Sequence, residues 1–160
     1  MTWDFLSSTV LDSSNDTIDS GTITAKTNLY VQVFGIATGN LDACVIRFNG
    51  DSGSNYAVRK QNDGDSGSTN VNENGINYMS ANAAQNHYAE FQIMNIDGQP
   101  KILMDRTVRD NGSGAGSAPS RKVMMGKWIT TDQITQIEVV NRDGSGDFAS
   151  GSYINVFGSD

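Results

Sequence analysis

One cysteine, one histidine and two prolines among 160 residues remove several chemistries at the outset. A lone Cys44 forms no intrachain disulfide, so the fold must rest on its core. Its place between Ala43 and Val45 marks it as a small buried hydrophobe and not a reactive thiol. With His87 as the sole imidazole and no serine or cysteine in a Gly-x-Ser-x-Gly setting, a hydrolase triad has no members. His87 therefore reads as a structural or surface residue. One His and one Cys also fall short of a zinc ligand set. Carboxylates are the remaining metal ligands.

Cations are scarce as well: 11 Lys and Arg against 18 Asp and Glu, a formal charge of −7. Neutralising a phosphate backbone needs clustered Lys and Arg. Arg121-Lys122 and Arg106 with Arg109 are the densest spots and do not make a basic groove, so no nucleic-acid partner is expected. No apolar run approaches the ~18 residues of a membrane span. The first residues are not a basic start followed by an apolar stretch, so the chain is expected to be soluble and made in a cytoplasm. Apolar residues make up only 37 %, which fits short strands between long polar loops, a core that one domain of this length suffices to build, and a partner surface that supplements it.

What the chain has is alternation. Helical 3.6-residue periodicity is nearly absent, and period-two runs end in Gly, Asn, Asp and Ser about every ten residues. Strands are expected at Trp3–Val10, Thr17–Thr24, Asn28–Ile36, Ala43–Asn49, Tyr56–Lys60, Tyr88–Ile96, Lys101–Val108, Arg121–Trp128, Ile134–Asn141 and Ser152–Phe157. This predicts an all-β, two-layer antiparallel sandwich of 8–10 short strands in one domain covering 1–160. Leu29, Val31, Val33, Phe91, Ile93, Ile137 and Val139 are the core candidates. Tyr30, Phe34 and Ile36 lie on the other face of their strand, a sign of a second covering surface. Pro100 and Pro119 each stand beside an expected strand start, where a missing N–H is tolerated. Gln61–Gly75, Asn82–Asn86 and Asp110–Pro119 read as loops on composition. Met79–Gln85 is read as non-helical in preference to a short helical turn.

Candidate ligand groups are sparse. Asn62–Gly67 and Asn141–Asp147 place Asp63, Asp65, Asp143 and Asp147 on flexible backbone. These are weak calcium candidates, although Asp, Asn and Gly are also what turns demand. Neither segment completes a calcium loop. No paired acids for glycoside hydrolysis can be assigned, and no glycine run precedes Lys-Ser/Thr as in a phosphate loop. Most aromatics fall in strand patterns. Tyr78, in loop sequence, is the one expected to touch a ligand or another chain.

The strongest local signal is Arg47-Phe48-Asn49-Gly50-Asp51-Ser52-Gly53-Ser54-Asn55-Tyr56, a strand that breaks into a turn and restarts. With the terminal run Gly151-Ser152-Tyr153-Ile154-Asn155-Val156-Phe157-Gly158 and the opening Trp3-Asp4-Phe5-Leu6, this pattern resembles the small β-sandwich virion proteins of tailed bacteriophages. Within them it is most similar to the jelly-roll capsid decoration, or cement, family. The resemblance implies a jelly roll and a homotrimer on the exterior of the head that bridges major capsid proteins, with no catalytic residue and no cofactor. Arg47, Phe48, Asn49, Gly50, Asp51, Gly53, Asn55 and Tyr56 would form the structural turn. Trp3, Phe5, Tyr78, Arg109 and Arg121 would be subunit or capsid contacts, together with the stretches Thr2–Leu11, Gln61–Gly75 and Asp110–Pro119. The competing expectation is a carbohydrate-binding sandwich of a phage tail or fibre, with Tyr78 stacking on a glycan.

Overall fold

In the computed structural model, which describes residues 2–112 and 114–160, the alternating segments become strands. These are β1 (Asp4–Val10), β2 (Thr17–Asp19), β3 (Asn28–Ile36), β4 (Leu41–Phe48), β5 (Tyr56–Asn62), β6 (Ser68–Glu73), β7 (Ile76–Ala81), β8 (Asn86–Met94), β9 (Lys101–Arg109), β10 (Ser120–Trp128), β11 (Ile137–Asn141) and β12 (Tyr153–Ser159). No helix occurs among the described residues. An eight-stranded sheet runs β1-β12-β3-β8-β9-β10-β5-β6, and a four-stranded sheet runs β2-β11-β4-β7. Every pairing is antiparallel.

Setting aside β5, β6, β9 and β10 leaves two four-stranded sheets, β1-β12-β3-β8 against β2-β11-β4-β7. Successive strands hop between layers, except that β4 and β7 pair within the small sheet, and the last strand returns beside the first. That is the double Greek key of a jelly roll. The four remaining strands are two hairpins, one inserted between β4 and β7 and the other between β8 and β11. They pair with each other through β10 and β5 and extend the large sheet beyond β8 as a wing.

The core lies between the layers. Leu29, Val31, Val33, Phe91, Ile93, Ile137 and Val139 are buried as the alternation requires, joined by Ile154 and Val156 of the central β12. Each such side chain contributes roughly 1.5–3 kcal/mol on leaving water. Cys44 is enclosed, and burial pushes its thiol up to about 12. Pro100 and Pro119 immediately precede β9 and β10.

The Arg47–Tyr56 segment is the elbow by which the chain leaves the small sheet at β4 and enters the wing at β5. Asn49 and Gly50 take positive φ, 53° and 68°, conformations that Asn and Gly adopt at low cost. Asn49 Oδ1 accepts the N–H groups of Thr135 (2.8 Å) and Gln136 (3.1 Å). Asp51 is the hub: its carboxylate accepts Trp128 Nε1–H (2.7 Å), Gly53 N–H (2.8 Å) and Asn55 Nδ2–H (2.9 Å). Tyr56 Oη donates to the Asp51 carbonyl (3.0 Å) and accepts Phe48 N–H (3.1 Å). The Tyr56 and Trp128 rings stack at 6.2 Å, with Phe48 5.5 Å from Trp128.

Several boundaries differ from the sequence reading. Gln61–Gly75 is not a loop: its second half is β6, an edge strand whose polar side chains face water on both sides and so show no alternation. Ile76–Ala81 is also a strand, and the turn after it is tight, with Ala84 at φ 62°. Thr17–Thr24 shortens to β2 because the chain turns at Ser20-Gly21 (Gly21 φ 66°). Ile134–Asn141 starts later, at Ile137, because side chains of Asn95 and Asn49 take the backbone N–H groups of Ile134, Thr135 and Gln136. Ser113, within the expected loop Asp110–Pro119, lies outside the described residues.

Burial alone would raise the Asp51 carboxyl, but the hydrogen bonds from Trp128, Asn55 and Gly53 outweigh it and hold its pKa below the ordinary carboxylate value. A depressed carboxyl stabilises the fold above its unfolded pKa, and that contribution disappears as pH falls through the folded value. Asp51→Ala is therefore expected to cost about 2 kcal/mol at pH 7, the usual loss for charge-assisted hydrogen bonds. In urea titrations the gap from wild type should narrow below about pH 4. A variant as stable as wild type at pH 7 would remove Asp51 from its hub position.

Candidate functional site

The outer face of the eight-stranded sheet is the surface on which the fold concentrates unusual chemistry. Its jelly-roll half is aromatic. Phe5 of β1 faces its register partner Phe157 of β12 at 5.7 Å, and Phe157 faces its partner Tyr30 of β3 at 6.1 Å. Trp3 closes on Tyr30 edge-on at 6.1 Å. Beyond the intervening Gln32 and Asn155, Phe34 and Tyr153 form a second partnered pair at 5.6 Å. Between the aromatic rings and the wing lies a polar knot. Tyr30 Oη and Tyr88 Oη both donate to Glu90 Oε1 (2.8 and 2.9 Å), and Gln32 Nε2 donates to Tyr88 Oη (3.0 Å). Burial, with the Glu90 hydrogen bond reinforcing it, raises the Tyr88 phenol above its usual value.

The wing half is aliphatic and cationic. Its outward positions are Ile102, Met104, Arg106 and Val108 on β9, then Arg121, Val123, Met125 and Lys127 on β10, then Ala57, Arg59 and Gln61 on β5. No outward residue of these three strands is acidic. Met104 and Met125 remain 55 % and 61 % exposed. Together with Met94, Ile102 and Trp3 they line a groove of about 720 Å³, with Arg59 and Lys127 also in its wall.

Beneath the wing the opposite faces of the same strands are partly polar. Asp105 and Lys122 are buried; Thr107 Oγ1 donates to Asp105 (2.9 Å), and Lys122 Nζ donates to Asn77 Oδ1 (2.9 Å). Burial pushes Asp105 up to about 8 and Lys122 down to about 8. Shifts of that size often mark acid–base catalysts. Here the groups lie between the layers, out of reach of a substrate, and their role is structural. His87 is likewise enclosed. Burial, then the charge of Arg109, lowers it to about 4, and Tyr78 Oη lies 3.2 Å from its Nε2. Its ring occupies the space that Gly35 leaves open, since a Cβ there would approach it to 2.2 Å.

These positions revise the residues singled out from sequence. Tyr78 is fully buried in β7, edge-on to Phe91 at 5.3 Å, so it contacts the core and not a ligand or partner. The inward parity of a strand that composition did not reveal is the reason. Trp3 and Phe5 are exposed on the aromatic half. Arg121 is exposed on the wing. Arg109 is partly buried and donates to the Ser80 carbonyl (2.5 Å), so most of its reach is spent internally. Asp65 caps its own hairpin, accepting Asn62 N–H (3.1 Å) and Gly67 N–H (2.8 Å), and Asp63 accepts Arg121 N–H (2.7 Å). Asp143 pairs with Arg142 (2.7 Å). Asp147 is tied to Thr38 through its backbone. No three His, Cys, Asp or Glu side chains converge among the described residues. The Tyr30, Tyr88, Glu90 and Gln32 knot was missed. The alternation of Asn28–Ile36 and Tyr88–Ile96 carried its parity, but only strand pairing brings the four together.

No protein-family model matches the chain, and no curated protein matches it. Two solved structures show a weak likeness. One is the CBM2 module of the evolved Dit of Lactobacillus casei BL23 phage J-1, at 9 % identity and TM-score 0.23 over 100 % of this chain and 81 % of that one. The other is the Ralstonia solanacearum high-affinity mannose-binding lectin, at 10 % identity and TM-score 0.14 over 72 % and 97 %. At such TM-scores neither likeness carries an argument.

The buried carboxyl supplies a pH test. A raised folded pKa stabilises below the unfolded value of about 3.9 and loses that contribution as pH climbs to about 8. Asp105→Asn should therefore gain on wild type progressively between pH 4 and pH 8 in urea midpoints. A difference that stays constant with pH would mean that Asp105 is ionised throughout.

Proposed function

We propose that this chain is a non-catalytic structural protein of a virion, a trimeric decoration protein that sits on the exterior of a tailed-phage head and bridges major capsid proteins. The observation that carries the reading is the exposed apolar surface on one face of the large sheet, where Phe5 and Trp3 continue past the polar knot, along the groove, to Met94, Ile102, Met104 and Met125. Contiguous apolar surface beyond a few hundred Å² marks a contact site. The jelly-roll strand order supports it, as does the Arg47–Tyr56 elbow that resembles the family's turn. A charge of −7 suits a surface facing away from packaged genome. The aromatic half is assigned to self-association and the loops to the capsid. Modest patches on each subunit then sum through the trimer's high effective concentration.

Light scattering of the purified protein, followed by sedimentation with undecorated heads of the phage that carries it, tests this directly. A trimer that pellets with heads is the expected result, and Phe5→Ser with Trp3→Ser should shift the mass toward monomer. A wild-type monomer that stays in the supernatant overturns the assignment.

The polar knot favours a second reading, a carbohydrate-binding module of a phage tail or fibre. Tyr30, Tyr88, Glu90 and Gln32 present donors and acceptors beside aromatic rings, the combination that sugars select. In that case Tyr88→Ala abolishes retention on a glycan array while the solution mass is unchanged. An array that retains nothing with the wild-type chain rejects it.

A further inference from the structure

The wing is an insertion into the jelly roll, and its outward face differs in kind from the aromatic half. From the geometry we infer that this face docks an acidic, apolar polypeptide segment of a different protein. The five strands from β8 to β6, three of nine residues, β5 of seven and β6 of six, at ~4.8 Å spacing and ~3.4 Å per residue give a face of the order of 600 Å². A standard interface needs about 800 Å² per partner, so the face is large enough to hold most of one.

Charge selects the occupant. The chain carries a formal −7, yet the outward residues of β9, β10 and β5 include Arg106, Arg121, Lys127 and Arg59 and no acid. Glu90 of β8, held by Tyr30 and Tyr88, is the register partner of Arg106 and leaves Arg59, Arg121 and Lys127 without an acid across the ladder. A second copy related by a twofold axis would set these cations against themselves. A second copy stacked by its opposite layer, where Glu138 is the register partner of Asp19 and of Arg47, would meet a cation as well as acids and would have to close into a ring or else grow as a filament. A segment of another protein meets neither obstacle. Apolar side chains enter the 720 Å³ groove among Met94, Ile102, Met104 and Met125, and carboxylates reach Arg59 and Lys127 in its wall. Methionine thioethers accommodate varied shapes, which suits a docking groove more than a fixed core. Nucleic acid would also find cations here, but the centre of the face is aliphatic, and Trp3, the one ring in the groove's lining, stands at its margin edge-on to Tyr30.

This deepens the assembly reading by naming the partner's chemistry, and it rests on the wing being a contact face. It does not require a trimer or a phage head. The methionines report it: Met94, Met104 and Met125 lie on the face, whereas Met79 and Met124 are buried in the core. With methyl-labelled methionine, the full chain is titrated by NMR with ten-residue peptides alternating leucine with glutamate, with lysine or with serine. The expected result is that only the glutamate peptide shifts Met94, Met104 and Met125, leaving Met79 and Met124 in place. Raising salt from about 50 to 500 mM should weaken that binding several-fold. Arg59→Glu with Lys127→Glu, both exposed, should weaken it about tenfold. Equal shifts from all three peptides, shifts from none, or shifts of the face methionines with protein concentration alone would each overturn the inference. A chain that binds the glutamate peptide but ignores phage heads keeps the wing assignment and loses the virion one. The converse result separates them the other way.

Discussion

The rest of the structure depends on the clamp between Asp51 and Trp128. Trp128 is the last register pair of the β10 ladder and sits opposite Tyr56, the first residue of β5. The Asp51 carboxylate holds the indole from the elbow just upstream, so the point where two sequence-distant hairpins meet is fixed by one charge-assisted hydrogen bond and a stacked ring pair. A slip of one residue in that ladder would reverse every side chain of β5 relative to the wing. Val58 would turn outward and Arg59 inward. The chemistry of the outer face is therefore set by an interaction on the inner one.

The inner face needs such a device because hydrophobic burial does not determine its register alone. Between β9, β10 and β7 lie Asp105, Thr107, Lys122 and Asn77, and at the end of β9 Lys101 is wholly buried. Lys101 donates to the carbonyls of Ile96 (2.8 Å), Thr131 (2.8 Å) and Gln99, closing the loop that leads into its own strand. Buried polar groups cost desolvation and repay it only in a geometry that satisfies them. These residues add little to the driving force of folding, but they penalise any arrangement in which their partners are out of place. The wing is thereby held by specific pairings, whereas Leu29, Val31, Val33, Ile154 and Val156 hold the jelly roll by area.

That division explains what could be read in the sequence. Strands with one wet and one dry face announce themselves by alternation, and Asn28–Ile36 is found with the boundaries expected of it. The elbow was visible because Asn-Gly-Asp-Ser-Gly has few other uses. β6 left no trace, since an edge strand solvated on both faces obeys no period, and β7 was obscured by polar flanks, which misplaced Tyr78. The knot of Tyr30, Tyr88, Glu90 and Gln32 and the cationic groove are products of strand order, bringing together β3 with β8 and β9 with β10 and β5. Periodicity supplies the face a residue occupies but not its neighbour across the ladder, so a site spread over several strands stays hidden until the sheet order is known.

The sheet edges are as irregular as the faces are broad. β1 and β6 end the large sheet, and both carry register breaks, at Phe5/Ser7 and at Tyr56/Val58 opposite β6. Asn72 adds a positive φ of 56° within β6 itself. In the small sheet β2 has three residues, and the β4–β7 pairing is broken twice. Short or bulged edges are poor templates for another strand. With the edges blunted, lateral growth into fibres is disfavoured. The inserted hairpins nearly double that face, adding a second, chemically distinct half beside the aromatic one. A jelly roll of four plus four strands would offer the aromatic half only. The insertion gives one sandwich two chemically different surfaces on the same sheet, and the Asp51 clamp keeps the two halves in a fixed relation.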